Sequence, residues 1–471
     1  MSILLSLLLF FLVWQSGALI AVLLRIKSFA EIMGLGFILG TFLFTLTLLF
    51  YHSLTGAPIN ASAVFVVSGG ITLLLSPLIP RLLILSRQSS SFLTKLLKMP
   101  LVLKIVIGIL FTLVLISVIQ NLFWPITDWD AMALYDFRAR IVAETGSFSL
   151  GRELGYFFQY PPFTSLLHTS TYLLGFQRAK IWYSFLYGSF LLVFFALSRK
   201  QTNLLLSLFG TLALAVNPMI SGNAIVAYTN LSYTMFLGLG VIYLWQWFSS
   251  RDLNSVVLGS AFVAASCWVR SSEPFWLVGV LLLVGIIVSS IQKKMLKNII
   301  LATLGIAFIL WIRTVWPSFT GPLLVQPELA ATGEVESSLA LQMSGQITGL
   351  TGYFKILATT NTQFLWERFT HVTTYFIQYV FPVFSIYLIP SLLIIIMDIK
   401  RRNVGPVIRW LTNLAFISMI FIGTFLFSFS DSSWNRIGGS ANRMSMFLIP
   451  LFIFSIFSSE ALKKWTTKIK S

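Results

Sequence analysis

Charge is what this chain has least of: only 10% of its 471 residues are Asp, Glu, Lys or Arg, against roughly 25% in soluble domains. So little ionic surface cannot coat a compact domain in water, which excludes a cytosolic enzyme, a disordered chain and a secreted domain. There is a single cysteine, Cys267, so neither an internal disulfide framework nor a Cys-rich metal site can form. The three histidines, His52, His168 and His371, lie far apart and give no metal-ligand spacing. No Gly-rich phosphate loop and no repeat of fixed period is present. Acids are scarcer than bases: 15 Asp and Glu against 32 Lys and Arg leave a net charge of +17.

What is abundant is hydrocarbon, with 57% of residues apolar and 15% aromatic. Runs long enough to cross about 30 Å of lipid lie near 3–24, 30–50, 61–80, 101–120, 181–198, 203–220, 228–248, 254–270, 274–291, 299–316, 371–397, 410–430 and 444–459. The expected fold class is therefore all-α: a polytopic transmembrane helical bundle of about thirteen spans. The first run lacks a basic leader and is followed at once by another, so it is expected to be a retained span rather than a cleaved signal. Gly36 and Gly40 share one face of the second run, a spacing that suits close helix packing.

The charges sort along this pattern. Loops carrying Arg25/Lys27, Arg81 to Lys104, Arg199/Lys200, Arg251, Lys293 to Lys297, Lys400 to Arg409 and Lys463 to Lys470 hold 21 Lys and Arg against four acids. The alternate loops hold 11 against 11. The whole excess thus falls on one face, which the positive-inside rule assigns to the cytoplasm. Nucleic acid is unnecessary as a partner; the lipid bilayer suffices. Two long polar segments, 121–180 and 317–370, fall on the outer side, where long loops on a tightly connected bundle tend to carry function.

In the first outer segment, Pro125 should end the preceding helix, and Thr127 or Asp128 can cap the next. Apolar residues at helical spacing from about 130 to 143 suggest an interfacial helix. Asp128 and Asp130 then sit at a helix N-terminus, which favours negative charge; the plainer reading is that they only cap. Asp136, one turn further along, is expected to be a bystander that tolerates Asn. The pair Pro161-Pro162 holds an extended backbone without N–H donors, either to line a cleft or simply as a rigid turn. His168 reads as a helix-surface residue rather than a base. Arg270-Ser-Ser-Glu273-Pro274 breaks two spans on the outer side, and Arg436 to Arg443 enters the last one. Arginine suits phosphate through its planar fork, with snorkelling to headgroups as the alternative.

Together these motifs resemble the GT-C superfamily of polyprenyl-phosphate-sugar glycosyltransferases, which includes protein O-mannosyltransferases and lipid A aminoarabinose transferases. Asp128-Trp-Asp130, followed by a helix and Gly146, is similar to the family's acidic motif, and Tyr160-Pro161-Pro162 to its aromatic-Pro-Pro segment. Ala227-Tyr-Thr-Asn230-Leu-Ser resembles a small-Tyr-acidic-Leu stretch, with Asn230 in place of the acid. Arg270-Ser-Ser-Glu273 resembles a basic-x-x-Glu turn, and Arg443, six residues before Ile449-Pro450, the arginine before the final span. The resemblance runs from about 105 to 460. It implies additional N-terminal spans over 1–100, a GT-C-like catalytic module over 101–460, outer loops carrying interfacial helices, and a cytoplasmic basic tail over 461–471.

The resemblance also implies a multi-pass plasma-membrane enzyme with an outward-facing site. Such an enzyme moves a sugar from a polyprenyl-phosphate donor to an acceptor, which could be a glycan, a lipid or a protein. Asp130, assisted by Asp128, would be the catalytic carboxylate. Arg270, Arg443 and Arg436 would bind the donor phosphate, with Arg270 and Arg443 approaching one another across the outer cavity. Tyr160, Pro161, Pro162, Glu273 and Arg138 would line the substrate cleft. Some relatives use a divalent metal, Mg or Mn, which here would fall on Asp128 and Asp130; no other cofactor is implied. Two rival readings remain. A polymerase or ligase of lipid-linked glycans would depend on outer-loop arginines and a histidine. A lipid-linked sugar transporter or flippase would place charges within spans and break helices near the midplane.

Overall fold

The computed structural model describes residues 1–88, 98–149, 160–271, 273–324, 361–399, 404–430 and 439–468. Among these the chain is helical, with no strand. Every expected apolar run falls on a helix. Among the described residues eight helices are long and apolar enough to cross a membrane, and nine if the bent pair Ala441–Phe457 and Glu460–Thr466 counts as one span. Leu204–Ala215, Leu253–Val269 and Trp276–Gln292, which the expected count of about thirteen includes, are apolar but shorter. At 1.5 Å per residue, the two 17-residue helices reach only about 25 Å, less than the hydrocarbon thickness.

The first two helices, Ser2–Leu23 and Phe29–Thr55, cross in backbone contact. A Cβ added to Gly17 would collide with the Gly36 carbonyl, and one on Gly40 with the Val13 carbonyl. The Gly36/Gly40 spacing therefore marks a real crossing, and dispersion across that close approach holds the pair together in lipid. Both helices belong to the main core. Phe10 meets the edge of Trp182 at 4.6 Å, Phe37 stacks on Phe185 at 4.8 Å, and Trp268 Nε1 donates to Thr45 Oγ1 at 2.9 Å. Glu31, fully buried, accepts from Lys200 Nζ and from the Tyr243 hydroxyl, each at 2.8 Å. These partners offset the cost of placing a carboxylate inside the bundle.

Thr229–Ser250 is buried along most of its length and forms the centre of the bundle, packed against Leu253–Val269 and Leu448–Phe457. The span Leu101–Phe123 stops where Pro125 requires. Trp124 is extended at φ −87° and ψ 131°, because a residue before proline is pushed out of the helical region. The chain that leaves this helix builds the candidate site.

Candidate active site

The backbone N–H of Met132 donates to the Asp128 carbonyl at 2.9 Å, which opens the helix expected at the interface, called the interfacial helix for that reason. Its first turns are wound as a π-helix over Ala131–Asp136 before the regular segment Phe137–Thr145. Such wide turns recur at functional sites because they displace the side chains that follow them. The helix ends at Gly146, whose φ of +72° glycine adopts without strain. The Gly146 carbonyl accepts from Ile59 N–H at 2.8 Å, which ties the helix to the loop after the second span. Trp124 and Trp129 stand exposed beside it, as aromatic side chains do at a headgroup boundary.

Asp130 makes no side-chain cap bond. It pairs instead with Arg443 Nη1, 313 positions away in sequence, at 3.0 Å. The Arg443 and Asp130 side chains retain 35% and 38% of their exposure, so the pair is open to a ligand. Arg443 also lies over the Tyr228 ring at 5.4 Å. Asp128, next to it, faces Lys180 electrostatically; burial pulls the Lys180 ammonium below its ordinary range and Asp128 opposes that shift. Lys180 Nζ donates to the Pro125 carbonyl at 3.3 Å.

Arg270 is held in place by its own protein. Nε donates to Thr229 Oγ1 at 2.8 Å, Nη1 to Glu273 Oε1 at 3.2 Å and Met444 Sδ at 2.9 Å, and Nη2 to Asn230 Oδ1 at 2.5 Å. Its guanidinium sits between the rings of Tyr160 and Tyr233. Burial, the largest single influence, lowers its pKa, but Glu273 together with Tyr135, Tyr160 and Tyr233 outweighs burial and the group is raised. Met444, which Arg270 touches, is the residue after Arg443, and the two arginines differ in kind. The fork of Arg270 is already occupied and buried, whereas Arg443 is partly exposed.

Asn230 uses both ends of its amide. Its Oδ1 accepts from Arg270 while its Nδ2 donates to Asn223 Oδ1 at 3.1 Å. A carboxylate could make only the first of these bonds.

Three expectations are corrected. Arg138 does not line a cleft: it is 5% exposed. Its Nε donates to Ser165 Oγ and its Nη1 to the Tyr160 carbonyl, both at 2.8 Å, and its Nη2 to the Pro161 carbonyl at 3.2 Å. Burial lowers its pKa to about 10. Arg138 therefore pins the Tyr160-Pro161-Pro162 segment from behind. Both prolines are buried, and only Tyr160 turns toward Arg270 and Tyr135.

Asp136 is no bystander. It is 6% exposed, with His168 Nδ1 at 3.1 Å and Arg140 Nε at 2.9 Å, and the Tyr172 hydroxyl donates to it. Burial raises its pKa, but the bonds and charge supplied by His168, Tyr172 and Arg140 outweigh this and bring it down to about 2. His168, in turn, is fully buried, with the Tyr183 hydroxyl 3.4 Å from Nε2, so it is not on the helix surface.

The Tyr135 hydroxyl lies 3.1 Å from Thr229 Oγ1, which links the π-helix to the Arg270 cluster. Sequence reasoning missed Tyr135, Tyr228 and Lys180; Tyr228 stands inside the Ala227-Tyr-Thr-Asn230 motif and could have been found there. Arg436, most of the second outer segment, and residues 150–159 of the first lie outside the described residues. Among the described residues no three His, Cys, Asp or Glu side chains cluster as a metal would need. With Lys180 and Arg443 facing Asp128 and Asp130, those two carboxylates fit a divalent ion poorly. No protein-family model, curated protein or solved structure matches the chain.

Proposed function

We propose that this chain is an integral membrane glycosyltransferase that moves a sugar from a polyprenyl-phosphate donor to an acceptor hydroxyl or amine on the extracytoplasmic face. The observation that carries the reading is the half-open Asp130–Arg443 pair, which sets a carboxylate and a guanidinium 3.0 Å apart at the start of the interfacial helix. One group suits proton abstraction and the other suits an oxyanion.

In the absence of donor the two groups satisfy each other. An ion pair this exposed contributes only about 0–1 kcal/mol, so an arriving phosphate displaces Asp130 from Arg443 at little cost. Asp130 is then free to take the proton of the acceptor as its oxygen or nitrogen bonds to the anomeric carbon. The carbon–oxygen bond to phosphate breaks, and the departing phosphate keeps the electron pair against Arg443. Arg270, braced by Glu273 and Asn230, holds Tyr160 in position. The lipid-linked donor needs no nucleotide loop.

Loss of the protein tests the reading. Cells lacking it should accumulate one polyprenyl-phosphate sugar in the membrane. An unchanged pool of lipid-linked sugars would overturn the assignment.

A further inference from the structure

We propose that the basic end of the bundle carries a second site, a pocket for a phosphate-bearing anion. A cavity of about 460 Å³ opens there, lined by Arg251, Arg409 and Lys463 together with Asp398, Ser458 and Glu460. Its size suits a small anionic ligand or headgroup. It is distinct from the Asp130–Arg443 pair, because Arg443 precedes and Ser458 follows the helix Leu448–Phe457. The two places lie at opposite ends of that helix. The pocket forms where the chain bends by 50° between Ala441–Phe457 and Glu460–Thr466.

Arg409 is the reason to expect an anion. It is 6% exposed, lies 5.3 Å over the Phe454 ring, and gives one N–H to Ser458 Oγ at 2.6 Å. Among the described residues no carboxylate stands within ion-pair distance of it. Asp398 is the nearby candidate, but its oxygens accept from Ser459 Oγ at 2.9 Å and from Ala461 N–H at 3.1 Å, which caps the last helix. Asp398 and Glu460 act on the guanidinium only from beyond ion-pair distance, so no anion is bonded to it directly, and a buried cation in that state favours an anion that can reach its fork.

The other cations support this reading. Arg251 is held against the Trp247 ring at 4.1 Å with Nη1 on Ser289 Oγ at 3.1 Å, and Lys463 stands exposed at the rim. A planar fork beside an ammonium on a long stem is a phosphate-recognising combination. Basic pockets between helices at a cytoplasmic face also take lipid headgroups. The phosphate could therefore belong to a phospholipid of the adjoining leaflet or be free in solution.

The full chain in neutral detergent distinguishes these sources through its thermal unfolding midpoint. The probes are inorganic phosphate, phosphatidylglycerol in mixed micelles, and uncharged diacylglycerol as the control. At least one phosphate-bearing probe should raise the midpoint saturably, with diacylglycerol and equal chloride inert. Saturation by phosphatidylglycerol alone assigns a headgroup, and saturation by inorganic phosphate assigns a free anion. Arg409→Gln and Lys463→Gln should each raise the half-saturating concentration about ten-fold, the scale of one charge-assisted bond. Lys463→Gln alters only an exposed rim residue and carries the test if Arg409→Gln does not fold. Arg443→Ala should leave this binding unchanged. The proposal is overturned if neither phosphate-bearing probe binds, if binding is unaffected in Lys463→Gln, or if Arg443→Ala abolishes it.

Discussion

Asp136→Asn is the substitution whose cost the structure lets one work out most fully. Asp136 is buried beneath the interfacial helix and receives Arg140 and the Tyr172 hydroxyl, with His168 beside it. A carboxyl that titrates at about 2 in the fold and near 3.9 in an unfolded chain contributes about 2.5 kcal/mol at neutral pH. Since the folded value is the lower one, this stability is complete above about pH 5 and lost as pH falls from there through about 2. Asparagine removes the charge and turns an N–H₂ toward groups that themselves donate, so at pH 7 it should cost about 2–4 kcal/mol. Equilibrium unfolding of purified protein in mixed micelles measures this, with membrane abundance as a second readout. Wild-type stability should also fall between about pH 5 and 2 by more than that of the variant. An Asp136→Asn protein as stable as wild type at pH 7, with the same acid profile, would refute the network's role.

Three further outcomes are expected. Arg443→Ala should weaken use of limiting sugar donor about ten- to a hundred-fold, the value of a charged hydrogen bond; Lys should rescue it only in part, and full initial rates in the Ala variant would reduce Arg443 to a snorkelling residue. Gly40→Ala should destabilise the first helix pair by about 1–3 kcal/mol in thermal unfolding, whereas Gly69→Ala, with open space around it, should not; equal midpoints would contradict the crossing. Trp465→Cys, at an exposed position, should resist an impermeant thiol reagent in intact cells, with Cys267 buried and silent; labelling there would invert the topology.

Much of the architecture is legible in the residues because lipid imposes a simple rule: apolar length makes a helix. Pro125 marks the end of a span, Gly146 the end of the interfacial helix, and Gly36 with Gly40 a crossing, each through a local backbone constraint. What pattern cannot supply is the partner of a polar side chain. Nothing local in the sequence marks Asp136, Arg138 and His168 as buried. They are buried because Phe163–Tyr172 packs onto the interfacial helix and covers them, a tertiary event. The meeting of Asp130 with Arg443 spans 313 positions and has no local signature. The motif resemblance suggested that both matter, but not that they touch. Arg270 illustrates the converse: its motif is legible, yet its occupied fork makes it a brace rather than a free phosphate ligand.

The central claim is that Asp130 takes the acceptor's proton, and Asp130→Asn tests it most directly. Asp130 is not a cap, and the pair it would lose is worth only about 0–1 kcal/mol, so fold and membrane level should be nearly unchanged. General-base assistance typically contributes about 10²–10⁴ in rate. Single-turnover transfer from a polyprenyl-phosphate sugar should therefore fall at least about a hundred-fold by the same measure, while Asp128→Asn costs less. An Asp130→Asn protein that transfers sugar at the wild-type rate, or one whose only defect is abundance, would contradict the account.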